Sequence, residues 1–118
     1  MIEIIVLNHL LAKNLSVGQN VSMEVPVNPP DKYIVIEKTG SGKTDYLNRA
    51  SFAVQSIAKT SLADAAELNV EVIAAMETLN EHPAVYASNL NSDYNYTNTE
   101  TKEYRYQAVF DIYYQEGE

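Results

Sequence analysis

The stretch YRYQAVFDIYY, Tyr104 to Tyr114, gives the clearest indication of the fold class, because its side chains alternate along its whole length. Aromatic and apolar residues occupy the even positions, while Arg105, Gln107 and Asp111 lie on the other side. A period of two predicts a β-strand that packs one face on a core. Tyr113 departs from the pattern and places an aromatic ring on the polar face.

Upstream of this stretch, four further segments are rich in β-branched and aromatic residues or alternate in the same way. They predict strands at residues 21–25, 33–37, 46–58 and 85–90. The proline-rich segment 26–31 predicts a loop or a strand edge, because proline cannot donate to a sheet ladder. Residues 91–101 are polar without an apolar period and predict a second, long loop.

Two segments carry apolar residues at helical spacing, residues 2–14 and about 62–79. Ser61 is a good N-cap for the second helix, and Asp64 three residues later completes a capping-box-like pair. The order α-β-β-β-α-β-β predicts an α+β fold. We expect a single domain over residues 1–118, with an antiparallel or mixed sheet of about five strands and both helices packed on one face.

Composition narrows the function classes. The 118 residues carry a formal net charge of −8, which argues against a nucleic-acid partner held by phosphate contacts. The absence of cysteine excludes disulfides, thiolate metal sites and a cysteine nucleophile. His9 and His82 have no metal-ligand spacing, and structural roles are expected for both. The N-terminus lacks a basic leading region, so we expect a soluble protein made in the cytoplasm without a signal peptide.

The segment TGSGKT, Thr39 to Thr44, has the letters of a phosphate-binding loop. However, Glu37 stands where the first glycine belongs, and the residues that follow alternate like a strand instead of opening a helix. We therefore expect Gly40-Ser41-Gly42 to form a hairpin turn, with a small nucleotide-binding protein as the alternative. No other catalytic constellation is found, so no enzyme activity, cofactor or metal is expected.

Seven of the nine tyrosines lie between Tyr86 and Tyr114. Tyr94 and Tyr96 fall in the predicted loop, where their own segment offers nothing to pack on, and Tyr113 lies on a polar strand face. Two interpretations stay open for these three rings: packing within the molecule, or a surface for a partner.

Taken in order, several short motifs resemble the tail terminator family of long-tailed phages, also called tail completion or head-tail joining proteins. The motifs are Val25-Pro26, Thr39-Gly40, Val54-Gln55 with Ala58, an alanine-rich helix at 63–76, and Arg105-Tyr106-Gln107. The resemblance covers nearly the whole chain. Relatives often carry Gly-Gly after the threonine, whereas this chain has Gly40-Ser41-Gly42-Lys43.

The resemblance implies a virion structural protein. It would form a ring, expected to be a hexamer, that caps the tail tube, ends tube polymerisation and offers a docking surface for the head. The implied partners are further copies, the tail tube protein and a head-completion or connector protein. DNA would pass through the lumen without specific binding, and no membrane is involved. The protein would occur in the host cytoplasm during assembly and then in the virion tail.

Exposure and composition suggest which residues would contact neighbouring subunits or partners in such a ring. They are Lys43, Tyr94, Tyr96, Arg105, Asp111 and Tyr113. Two alternative functions without catalysis also stay open: a head-side neck protein and a generic cytoplasmic adaptor.

Overall fold

The computed structural model describes residues 1–44, 46–101 and 103–115. The two helices are α1 (Ile2–Ala12) and α2 (Leu62–Met76), and a short 3-10 helix follows at Leu79–Glu81. The strands are β1 (Val21–Ser22), β2 (Lys32–Thr44), β3 (Leu47–Ala58), β4 (Val85–Asn95) and β5 (Tyr104–Tyr114). The predicted element order α-β-β-β-α-β-β is confirmed.

The five strands form one open mixed sheet with the spatial order β1-β2-β3-β5-β4. The short strand β1 pairs in parallel with β2, and every other pair is antiparallel. This arrangement confirms the predicted α+β class. The sequence pattern of Tyr104 to Tyr114 predicted β5 with its correct bounds.

The main core lies between the two helices and one face of the sheet. Both helices contribute apolar residues at helical spacing, and the strands contribute alternate residues, so a single layer of side chains forms the contact. Its central members are Val6, Leu10, Leu68, Val72, Ile34, Ile36, Phe52 and Phe110, all nearly inaccessible to solvent. No helix of the described residues is both long and apolar enough to cross a membrane.

Helix α2 begins as the sequence predicted. The Ser61 hydroxyl accepts the backbone N–H of Asp64 at 3.0 Å, which satisfies one of the free donors of the first turn. A hydrogen bond donated by the Thr60 hydroxyl lowers the pKa of the Asp64 carboxyl. The helix ends at Met76, before the predicted Leu79, but Leu79 stays buried in the 3-10 helix that follows.

Replacement of Ser61 tests how much this N-cap stabilises the protein. Ser61→Ala is expected to lower the free energy of unfolding by about 1 kcal/mol, because the Asp64 amide loses its acceptor near the helix start. Urea denaturation followed by circular dichroism would measure the change. Ser92→Ala, at an exposed serine of β4, is the matched control and should change stability by less than about 0.5 kcal/mol.

The hairpin between β2 and β3 is present, but the predicted turn at Gly40-Ser41-Gly42 was wrong. These residues pair within the sheet, and the register runs on from Gly40 opposite Ser51 to Thr44 opposite Leu47. A β-bulge between Lys38 and Gly40 absorbs the irregular sequence. The chain reverses direction after Thr44, the last paired residue of β2, with Tyr46 in the turn. Asp45 lies outside the described residues.

Strand β4 is longer than predicted and includes residues 91–95, which the sequence assigned to a loop. Strand β5 offers a continuous partner there, with Ser92 opposite Val109 and Asn95 opposite Tyr106. A bulge between Leu90 and Ser92 interrupts the alternation, which hid the strand from pattern analysis. In contrast, β1 covers only Val21–Ser22 of the predicted strand 21–25, and α1 ends at Ala12 instead of residue 14.

Candidate interaction face

The sheet face opposite the helices is called the open face here, because both helices pack on the other side. It carries the odd-numbered residues of β3 and β5 and the residues of β4 that lie beside them, since partners in antiparallel strands share a face. A small apolar cluster of Tyr33, Val35 and Ile57 is buried on it. The rest of the open face is mainly polar.

Asp111 ties three strands together on the open face. One carboxylate oxygen accepts the Ser51 hydroxyl of β3 at 3.0 Å, and the other accepts the Asn91 side-chain amide of β4, also at 3.0 Å. Both oxygens therefore have partners on the two neighbouring strands. A carboxylate held in this way acts as a clamp across the sheet.

A second polar row crosses the same strands and forms what we call the Gln–Arg–Tyr cluster, composed of Gln55, Tyr94, Tyr96, Arg105 and Gln107. Gln55 donates to Gln107 at 3.0 Å, and Gln107 donates to the Tyr94 hydroxyl at 2.6 Å. The Arg105 guanidinium donates to Gln55 at 3.5 Å. The side chains are thus linked to one another across three strands.

The aromatic end of this cluster is ordered and still accessible. The Tyr94 and Tyr96 rings meet edge to face at 6.0 Å, and the Arg105 guanidinium carbon lies 5.2 Å from the centre of the Tyr96 ring. Tyr94 and Tyr96 keep 41% and 47% of their surface exposed. The rings therefore pack within the molecule, as the first interpretation expected, and also keep exposed surface.

Beside the cluster, on the same face, the Tyr33 hydroxyl donates to a Glu103 carboxylate oxygen at 3.0 Å. Glu103 lies 4.0 Å from the Arg105 guanidinium, whose Nε atom is buried without a hydrogen-bond partner among the described residues. Burial, followed by the hydrogen bond and charge of Glu103, raises the pKa of Tyr33 to about 12.

This shift gives a pH prediction. The folded protein holds the Tyr33 proton more tightly than the unfolded chain, whose tyrosine pKa is about 10. The resulting stabilisation, roughly 2–3 kcal/mol, is fully present below pH 10 and is lost as the pH rises from 10 through 12. Wild type should therefore lose stability more steeply over that range than Tyr33→Phe. Parallel curves in urea denaturation would contradict the assignment.

The six residues predicted as an interface fall into two groups. Tyr94, Tyr96 and Arg105 lie together on the open face, near the end where β4 connects to β5. Tyr113 and Asp111 lie on the same face toward the other end, where Tyr113 is opposite Arg49. Lys43 is exposed at that second end but on the helix side, because it pairs with Asn48.

The sequence did not identify Gln55, Gln107 and Asn91 as interface candidates. Gln55 and Gln107 both lie on the polar faces of predicted strands, and this was the signal that the sequence offered for their contact. Whether the two side chains meet depends on which strands are neighbours in the sheet. Strands β3 and β5 are adjacent in the sheet although α2 and β4 separate them along the chain.

The histidines have structural contacts. His9 Nε2 lies 2.8 Å from the Ala75 carbonyl oxygen and 3.1 Å from the Thr78 hydroxyl, so it joins α1 to the end of α2. His82 Nδ1 accepts the Ala84 backbone N–H. Within residues 1–44, 46–101 and 103–115, no group of three or more His, Asp or Glu side chains is arranged to hold a metal ion.

The segment TGSGKT does not have the geometry of a phosphate-binding loop. It lies inside β2 and is followed by β3, so no helix N-terminus meets its backbone amides. A Cβ atom on Gly42 would come within 3.3 Å of the Arg49 guanidinium, so this glycine makes room for a side chain on the neighbouring strand.

No protein-family model matches the chain, and no curated protein matches it.

Proposed function

We propose that the protein is a virion structural subunit of the phage tail terminator type, which forms a ring at the end of the tail tube. The Gln–Arg–Tyr cluster is the observation that carries the proposal. Two motifs of the resemblance, Val54-Gln55 and Arg105-Tyr106-Gln107, are far apart in sequence, yet their polar residues hydrogen-bond to each other. The same contacts hold the half-exposed Tyr94 and Tyr96 rings in place.

The shape of the molecule supports an adaptor between two larger assemblies. The subunit measures 43 × 24 × 24 Å, and the candidate residues lie toward opposite ends of its long strands. In a ring whose axis follows the strands, one group would face the tail tube and the other would face the head. The net charge of −8 suits a lumen that DNA crosses without being held.

Electron microscopy of particles assembled without this protein tests the proposal. Loss of a terminator removes the stop on tube growth, so we expect tails of abnormal length. Tails of normal length that fail to join heads would instead favour a head-side neck protein. A protein that stays monomeric when mixed with tail tubes of the same phage would favour a generic adaptor.

The nucleotide-binding alternative gives a separate prediction. Titration of Mg-ATP into the protein should give no saturable heat by calorimetry, because the TGSGKT backbone is an extended strand whose amides point alternately toward β3 and toward the outer edge instead of converging on one phosphate. Lys43→Ala is the matched variant and should behave like wild type. Tight binding by wild type that Lys43→Ala abolishes would contradict the structural role.

A further inference from the structure

Two edges of the sheet present unpaired backbone groups. On β4, the outer edge pairs with no strand of the described chain. On β2, the parallel strand β1 covers only Ile34 and Val35, so the outer edge of residues 36–44 is also unpaired among the described residues. Bare edges of this length favour strand addition by another chain.

The two edges differ in their charges, which determines which of them can pair. Residues 36–44 of β2 carry Lys38 and Lys43 on the helix side and Glu37 on the open face, so two copies of this edge would bring lysines together on the helix side. Strand β4 has no lysine, arginine or proline, and Asp93 is its single charged residue. The charges therefore favour pairing of a β2 edge with a β4 edge over pairing of two β2 edges.

Strand direction fits a ring. Strands β2 and β4 run in opposite directions within the sheet, because β2, β3, β5 and β4 are successively antiparallel. In a ring whose axis runs parallel to the strands, every copy has its strands in the same directions. Strand β4 of one copy therefore meets β2 of the next copy as an antiparallel pair. Such a contact joins two different surfaces, as a closed ring requires.

The hydrogen-bonding pattern also selects a register. The Ile34 amide donates outward to Asn20 and the Tyr96 amide donates inward to Arg105, which fixes the alternation along both strands. On β2 the outward amides are those of Ile36, Lys38, Ser41 and Lys43, and on β4 they are those of Ser88, Leu90, Asp93 and Asn95. Each set contains one three-residue step, at the bulges after Lys38 and Leu90.

The outward amides of β2 and β4 lie opposite one another along the whole segment when the bulge after Lys38 faces the bulge after Leu90. Asp93 then pairs with Lys38, Leu90 with Ser41 and Ser88 with Lys43, and the whole segment 36–44 is covered by residues 87–95. This register places the single acid of β4 directly opposite a lysine. Lys38 already lies 3.4 Å from Glu3 of its own chain, and Asp93 accepts the Asn69 side-chain amide of its own chain at 3.0 Å through Oδ2. In this register the Asp93 carboxylate would join Lys38 and Glu3 as the second acid beside the lysine.

We propose that copies of this chain associate by antiparallel pairing of β4 with residues 36–44 of β2 in the next copy, an inference that rests on the proposed ring. The sheets then continue around the ring, with the helices on one side and the open face on the other. Because the helices are bulky, the middle of the open face lines the lumen, and its two ends, with Tyr94, Tyr96 and Arg105 at one end and Tyr113 at the other, lie at the rims that face the tail tube and the head. Six copies with four long strands each give a backbone diameter of about 40 Å, wide enough for duplex DNA after side chains are added.

This β4–β2 contact between copies, the seam, is weak by itself. The four outward amides of each strand form at most eight backbone hydrogen bonds, and their small net contributions are offset by the entropy cost of association. A closed ring, or a tube end that gathers several copies, makes the contacts multivalent. The free protein can therefore remain dispersed until it meets its template.

Cysteine cross-linking tests the seam, and the chain has no native cysteine to interfere. In the double variant Lys38→Cys/Asp93→Cys, the proposed register brings the two Cα atoms to about 5.5 Å, within disulfide range. Within one copy β2 and β4 are three strand spacings apart, about 14 Å, so only an intermolecular bond can form. Mild oxidation of the concentrated protein should give a disulfide ladder that ends in a closed ring.

Lys43→Cys/Asp93→Cys is the matched control, because the same register separates these positions by five residues, about 17 Å. It should give no ladder, and each single-cysteine variant should stop at a dimer. Circular dichroism verifies that the variants fold. Rings of the Lys38→Cys/Asp93→Cys protein that form and cap tail tubes without a disulfide between the two introduced thiols would overturn the seam and leave the proposed function intact. Cross-linked rings that leave tube length unregulated would overturn the function and support the seam.

Discussion

Phe110→Ala is expected to lower the free energy of unfolding by about 3–5 kcal/mol, the largest effect of any substitution considered for this protein. Phe110 is 1% exposed and lies on a central strand, opposite Phe52 of β3 and Leu90 of β4. Its truncation removes apolar surface from the layer between sheet and helices and leaves a cavity that rigid strands cannot close. Urea denaturation followed by tyrosine fluorescence and circular dichroism measures the loss.

Tyr86→Ala is the matched control, because this aromatic residue is 73% exposed on the edge strand and its removal creates no cavity. It should change stability by less than about 0.5 kcal/mol. The double variant Phe52→Ala/Phe110→Ala should differ from the sum of the single variants, since the two rings are cross-strand partners. A Phe110→Ala protein as stable as wild type would contradict the assigned core.

Arg105→Ala is expected to weaken docking of the ring on tail tubes of the same phage by about 30-fold or more, the size of an interface hot spot. The guanidinium holds the Tyr96 ring and Gln55 in position, and its loss leaves the exposed tyrosines without their ordered support. The affinity for tail tubes should therefore fall more than it would after removal of a single charge at the rim of an interface. Co-sedimentation with tubes gives the affinity, and electron microscopy gives the tail lengths.

Arg105→Lys separates charge from geometry. Lysine keeps the positive charge but lacks the planar fork that contacts the ring and the amide together, so docking should weaken in this variant as well. Lys13→Ala is the control for loss of a cation, because Lys13 lies on the helix side, where it pairs with Glu81 at 3.0 Å. Normal tube capping by Arg105→Ala protein with an intact fold would remove the Gln–Arg–Tyr cluster from the interface.

Local sequence patterns correctly predicted the elements whose bounds are set by their own residues and are not extended by a partner strand. The alternation of Tyr104 to Tyr114 predicted β5 because both of its faces keep their pattern without a bulge. The Ser61 cap was predicted because its acceptor and donor are three residues apart. Prediction was wrong at Gly40-Ser41-Gly42 and at residues 91–95, where a long partner strand extends the pairing through turn-like or polar residues.

The candidate site was predicted in part for the same reason. Tyr94, Tyr96 and Arg105 could be selected by type and expected exposure, but their contact depends on β4 lying beside β5. Gln55 joins them because β3 is the other neighbour of β5. A single sequence does not specify such adjacencies, since strand order follows from how the helices and the long connections pack.

Sequence information was sufficient for the α+β class, the order of the elements, the capped start of α2 and an acidic chain without cysteine chemistry. These follow from side-chain period, local hydrogen bonding and composition, which act over a few residues or over the whole chain at once. Tertiary contacts were needed to establish the strand order, the bulges in β2 and β4, the unpaired edges and the polar rows of the open face. These features depend on contacts between residues up to 70 positions apart, as between Tyr33 and Glu103, and such contacts exist only after the sheet has formed.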